Sequence, residues 1–294
     1  MVIGIALVIG AALLLNRRAE NQQVQQGPTP YVSPASTPEG HLANLPSPPA
    51  SPGASPLEKP TGAEALVVLN DRSGTIMVDK AGNVFGLDDV PPPTRDAIAR
   101  VLLTEEIEPP AILKNLASQE SALRGSKKQL FKLISPTRSV ITSDRPTFRW
   151  ERVSGASMYR VYVNDLNGQE AARSEELSPG HTEWVVPKSL KRGEVYSWAV
   201  IAVIDGKEIV SPGSSSPEMR FQILSDAKLN ELRRLKKSRS HLALAIFYTK
   251  TGMLADSERE LLKLRRLNSK SKTVNKILRG VRALSESFRI AEPN

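Results

Sequence analysis

The sequence predicts a mixed, multi-domain chain: an N-terminal membrane helix, a small α/β unit, an all-β sandwich and a C-terminal α-helical repeat. Three observations predict it. An unbroken aliphatic run opens the chain, short alternating strands crowd the middle, and from Ser225 the apolar period lengthens to about 3.6 residues. The expected boundaries are 1–15 for the membrane helix, 16–63 for a disordered Pro/Ser-rich linker, 64–131 for the α/β unit, 132–224 for the sandwich and 225–294 for the helices.

Val2 to Leu15 is aliphatic or small throughout and ends at Asn16-Arg17-Arg18. As a helix it covers roughly 22 Å, short of the ~30 Å hydrocarbon core, so the span is expected to belong to a longer natural helix. A cleaved signal peptide fits less well: no basic residue precedes the run and no small-x-small cleavage site follows it. The expectation is a single-pass membrane protein. Arg17 and Arg18 favour a cytoplasmic C-terminal side, whereas the repeated Ser-Pro and Thr-Pro steps from Gly27 to Thr61 suit an extracytoplasmic spacer, the side preferred here. That linker holds too few apolar residues to offset its chain entropy. No basic residue flanks Pro46-Ser-Pro-Pro49 closely enough for an SH3 or WW ligand.

From Leu66 to Gly86 two turn signals, Asp71 to Gly74 and Lys80 to Asn83, separate short strands carrying Val67, Leu69, Ile76, Val78, Val84 and Phe85. After Pro91-Pro92-Pro93, Thr94 is expected to cap a helix with Ile98, Val101 and Leu102 on one face. A second short helix is expected over Ala111 to Leu123. This unit is small for an independent core and is expected to pack on the module that follows it.

Strands are expected at Ile134–Pro136, Pro146–Trp150, Met158–Val163, Ala171–Leu177, Glu183–Val186, Val195–Val203 and Met219–Ile223, with a hairpin turn at Asp205-Gly206. Many short strands in so few residues is the spacing of a β-sandwich. The elements Pro146-x-Phe-x-Trp150, Gly155-Ala-x-x-Tyr-x-Val-x-Val163 and Tyr196-x-Trp-x-Val200 resemble bacterial fibronectin type III or immunoglobulin-like domains. The resemblance implies a two-sheet Greek-key fold that presents loops and edges to partners. It brings no catalytic residue. Trp150 and Trp198 are read as core; Trp184 could face either way.

Helices are expected from Asp226, as cap, to about Arg239, over His241–Thr251, over Ala255–Leu267 and over Ser271–Ser285, with Gly252 as a stop. Leu244-Ala-x-x-Tyr248, Gly252, Leu261 and Leu264 resemble one tetratricopeptide unit. Ala245, Ser257 and Ser269 depart from its usual Gly, Ala and Pro. One such unit cannot bury its own face, so neighbouring helices must cap it. The whole combination resembles the C-terminal part of bacterial envelope proteins whose anti-sigma-like zinc-binding region precedes the membrane helix. No residues here correspond to that region, so sigma-factor binding is not implied.

Chemistry is sparse. The absence of cysteine excludes disulfides, thiolate metal sites and thiol nucleophiles. His41, His181 and His241 are far apart, and phosphate-binding glycine loops and a Gly-x-Ser-x-Gly elbow are missing. No catalytic, cofactor-binding or metal-binding residue is assigned, and no enzyme is expected.

The net charge of +9 sits at one end: 17 Lys+Arg face 7 Asp+Glu from Ser225 to Asn294, while three face three from Asn16 to Ala63. Arg233, Arg234, Lys236, Lys237, Arg265 and Arg266 are therefore the candidate partner-binding residues. Their clusters could be a solvated face, or could meet an acidic partner or an anionic surface. Without interleaved aromatics, nucleic acid is the poorer match. The function expected is non-catalytic: a membrane-anchored protein–protein interaction or scaffolding protein of the envelope. The rivals are a surface carbohydrate-binding module with tryptophan platforms, and a scaffold whose basic helical tail binds acidic partners.

Overall fold

A computed structural model describes residues 65–117, 131–213 and 216–289, which belong to one unit. Among these residues the chain forms β1 (Ala65–Asp71), β2 (Gly74–Asp79), β3 (Val84–Phe85), α1 (Pro92–Thr104) and α2 (Ile112–Leu116). There follow β4 (Leu133–Ser135), β5 (Ser139–Ile141), β6 (Thr147–Trp150), β7 (Ala156–Asp165), β8 (Glu170–Arg173) and β9 (Glu183–Val185). The strands end with β10 (Val195–Ile204), β11 (Lys207–Ser211) and β12 (Met219–Ile223). Four helices close the chain: α3 (Asp226–Ser238), α4 (His241–Lys250), α5 (Leu254–Leu267) and α6 (Lys272–Arg289).

The middle strands make two sheets, ordered β5-β12-β10-β7-β8 with β11 also on β10, and β4-β6-β9. Alternation explains their common core. Tyr159, Val161 and Val163 of β7 and Trp198, Val200 and Ala202 of β10 point inward, where they meet Phe148 and Trp150 of β6. Ring centroids lie 4.8 Å apart for Phe148 and Trp198, and 5.5 Å apart for Trp150 and Tyr159. β5, three residues without a period of their own, pairs in parallel with β12 and was not expected from the sequence.

The two buried tryptophans are not equivalent. Trp198 Nε1 donates to the Pro136 carbonyl at 2.8 Å, whereas the buried Trp150 Nε1 has no hydrogen-bond partner among the described residues. Both changes to Phe remove volume, but only one orphans an acceptor. Trp198→Phe is therefore expected to cost about 1–2 kcal/mol more than Trp150→Phe. Urea titration of the two variants measures the difference.

The outer elements correct the expected architecture. The sequence suggests separate α/β and helical modules in series; the structure gives a mixed α/β body in which they share one core. Leu69, Ile76 and Val78 of the β1-β2-β3 sheet, with Ile98 and Leu102 of α1, pack in one cluster with residues of α3 to α6. A short sheet with one helix has too little surface to bury its own apolar side. The chain's later helices supply the cover, and α4 is the element they enclose: Leu242 to Thr249 are all buried. The α/β segment thus packs on the far end of the chain as well as on the module that follows it, which adds Val140, Val195 and Leu224 to the same cluster.

A second correction concerns the membrane. Among the described residues no helix is long and apolar enough to cross a bilayer, against the expected membrane helix and single-pass location. A spanning helix needs about 20 apolar residues; α4, whose buried run is the most continuous, has 10 residues and is enclosed by protein, and α6 carries Lys272, Lys276, Arg279 and Arg282 on the face opposite its apolar stripe. The run at 1–15 and the linker at 16–63 lie outside the described residues.

Local details also differ. Pro92 starts α1 at its first position, so Thr94 sits inside the helix, buried, with its hydroxyl donating to Glu231 Oε1 at 2.8 Å. Ser225, not Asp226, caps α3. Gly252 takes φ +80° after α4, and a Cβ there would stand 2.8 Å from Ile112 Cγ2, so only glycine fits this turn against α2. Ser257, where the tetratricopeptide resemblance expects Ala, is fully buried; its hydroxyl lies 2.9 Å from the Ala245 carbonyl and 2.7 Å from Thr249 Oγ1.

Candidate functional site

The basic residues singled out from the sequence fall in two places. Arg233, Arg234, Lys236 and Lys237 lie on α3, all exposed, because Leu232 and Leu235 take its buried side. Arg233 Nη1 donates to Asn230 Oδ1 at 3.0 Å. Lys236 stands apart on the wall of a cleft of about 700 Å³ between the β5 region and the α4–α5 turn. Apart from Lys236, these side chains line none of the three clefts found among the described residues.

Arg265 is different. It is half-buried in the last turn of α5 and lines a groove of about 630 Å³ with Lys272, Lys276, Arg279 and Arg282 of α6 and with Glu105. Arg266 beside it is exposed and is not among the groove's lining residues. The four α6 cations escape a reading that looks for runs of adjacent charges. Their signal is the spacing: positions 272, 276, 279 and 282 recur at the helical period. Val274, Ile277 and Val281 take the opposite, buried side.

Two of the five cations are held from within. Lys276 Nζ lies 3.1 Å from Glu105 Oε2, and Arg282 Nε lies 2.7 Å from Glu258 Oε1. Glu105 ends α1 in a left-handed conformation with φ 56°. The Thr273 hydroxyl, donating at 2.7 Å, and then Lys276 hold its carboxyl below the usual carboxylate range. Arg265, Lys272 and Arg279 make no ion pair among the described residues.

Elsewhere the histidines serve local contacts. His241 Nδ1 lies 2.6 Å from Glu260 Oε2 in a largely buried pair. Burial works to raise the Glu260 carboxyl, but hydrogen bonds from Lys263 and His241 outweigh it and hold the carboxyl below its ordinary value. His181 Nδ1 lies 2.8 Å from Ser178 Oγ in an exposed loop. Trp150 and Trp198, read from the sequence as core, are 1% and 2% exposed, and Trp184 stacks on Phe148.

No family model and no curated protein matches the chain. Among solved structures it is similar to CopC from Methylosinus trichosporium OB3b, at 12% identity over 33% of this chain and 95% of that one. The TM-score is 0.23, a likeness too low to carry an argument about fold or function.

Proposed function

We propose that this chain is a non-catalytic interaction protein, a scaffold that binds an acidic partner protein through the basic face of its C-terminal helices. The observation that carries the reading is the convergence of Arg265, Lys272, Lys276, Arg279 and Arg282 on one groove. Their helices are anchored in the core shared with the β1-β2-β3 sheet, so the charges are presented by a fixed frame. The resemblance to fibronectin type III and tetratricopeptide modules, which serve contact rather than catalysis, points the same way. A sugar-binding reading loses its support, since two of the three tryptophans are buried and cannot stack on a ligand.

The test is binding of poly-L-glutamate by isothermal titration calorimetry at low and high salt. Attraction between exposed charges is screened once the Debye length falls from ~10 Å at 0.1 M to ~3 Å at 1 M salt. The affinity is expected to fall at least about tenfold over that range. Salt-independent retention, or no binding at low salt, overturns the reading.

A further inference from the structure

Within that reading, on which this inference rests, we propose that the groove between α5 and α6 is the docking site, and that it takes an acidic segment with at least three carboxylates in a short stretch. The number follows from the cations. Glu105 and Glu258 satisfy Lys276 and Arg282, which leaves Arg265, Lys272 and Arg279 as three unmatched positive groups around one concavity.

The α6 stripe gathers like charges that Glu105 and Glu258 offset only in part. Lys272 and Lys276 stand four residues apart, and Lys276, Arg279 and Arg282 follow at intervals of three. Like charges at these spacings are neighbours on a helix surface and destabilise it. An ordinary solvated helix mixes signs at such positions. Here Glu286 is the sole acidic residue of α6 against Lys272, Lys276, Arg279, Arg282 and Arg289. The helix's N-terminal end adds to the same field: Ser271 Oγ accepts from the Val274 amide at 3.2 Å, and the first turn that carries Lys272 is the positive end of the helix dipole.

The groove is also fixed in place. Glu105 belongs to the end of α1, Arg265 to α5 and the stripe to α6, and all three helices are seated in the same core. The Thr273 hydroxyl and Lys276 tie Glu105 to α6, so the concavity does not have to be assembled on binding. At 1.5 Å per residue, Lys272 to Arg282 covers roughly 15 Å of helix, close to the reach of five extended residues at about 3.3 Å each, which set three side chains on one side. A protein segment suits this better than a nucleic acid. None of the groove's lining residues is aromatic, so bases would find no ring on which to stack.

The experiment uses the full chain and a fluorescein-labelled hexaglutamate peptide, read by fluorescence anisotropy at low salt. Two doubly reversed variants are compared, Lys272→Glu with Arg279→Glu in the groove, and Arg233→Glu with Arg234→Glu on α3. All four side chains are exposed, so each variant should keep the wild-type circular dichroism, and the groove reversal, which removes like-charge pairs from α6, should melt no lower than wild type. Arg265→Gln, which removes one charge without introducing another, is the milder second variant in the groove. The groove reversal is expected to weaken hexaglutamate at least about tenfold, and Arg265→Gln about threefold; the α3 reversal should change it less than about threefold. An α3 loss equal to the groove loss overturns the groove but leaves an acidic partner standing. Absence of wild-type binding overturns both. Tighter binding of a thymidine oligonucleotide of equal length overturns the assignment to a protein segment.

Discussion

A fragment spanning residues 225–294 is expected not to fold by itself, and to show no cooperative thermal transition by circular dichroism. Its helices lack the other half of their core. Leu69, Ile76, Val78, Ile98, Leu102, Leu113 and Leu116, all nearly inaccessible to solvent, belong to the same cluster as Leu242, Ile246, Leu261, Leu264 and Ile277. Burying one such side chain contributes roughly 1.5–3 kcal/mol. Removing seven of them takes away about as much as the 5–15 kcal/mol net stability of an ordinary domain. The fragment also exposes α4, which has no solvent-adapted face. A fragment of residues 131–224 is expected to behave oppositely, because every buried member of the aromatic core lies between Phe131 and Ile223. It should melt cooperatively alone. A sharp transition in 225–294, or its absence in 131–224, would show that the two cores are not partitioned this way.

The contrast between the cores explains what the sequence could reveal. The aromatic core is legible because it is built from contiguous strands whose alternation is visible, Val195 to Ala202 most clearly, where inward and outward residues change places at nearly every step. Strand β5 is not legible: three residues carry no period, and their place is fixed only by pairing with Phe221, Gln222 and Ile223. α6 runs past the expected end at Ser285 because Leu284 and Phe288 continue its apolar stripe. The shared core is invisible for another reason. Each half reads as a unit with an unfilled apolar face, and nothing local says which of the other modules fills it. Asn70 and Asn268, 198 positions apart, show the kind of contact that decides it: the Asn268 amide donates to the Asn70 carbonyl at 2.6 Å, and its oxygen accepts from the Asn70 amide at 2.8 Å. The side chain stands where a neighbouring strand would, covering one end of β1's open edge. The groove was half legible. Arg265 was found from its charge cluster, while the α6 cations needed the fold to bring them beside it.

Asp71→Ala is expected to destabilise the protein by about 3–5 kcal/mol, a large effect for one surface-sized side chain. Asp71 ends β1 yet serves the start of α4, and it is only 8% exposed. Its Oδ2 accepts from the Ser240 hydroxyl at 2.6 Å and from the Leu242 amide at 3.2 Å, and its Oδ1 accepts from the His241 amide at 2.9 Å and from the Arg72 amide at 2.7 Å. Ser240 caps the Ala243 amide, so Asp71 holds the cap as well as two further orphan donors of the first turn. No acidic residue of α4 itself lies in that turn, which leaves Asp71 as the carboxylate at the positive end of the helix. Alanine strands these buried donors; each costs roughly 1–3 kcal/mol when left unpaired, and the Ser240 hydroxyl is fully buried. Asp71→Asn separates hydrogen bonding from charge. Its single carbonyl oxygen can still accept while its amide faces donors it cannot serve, so its cost is expected to fall between wild type and alanine. Urea unfolding of the three proteins, followed by circular dichroism, gives the ordering. An alanine variant within about 1 kcal/mol of wild type would mean that water replaces the carboxylate at α4, and that β1 and α4 are joined by apolar packing alone.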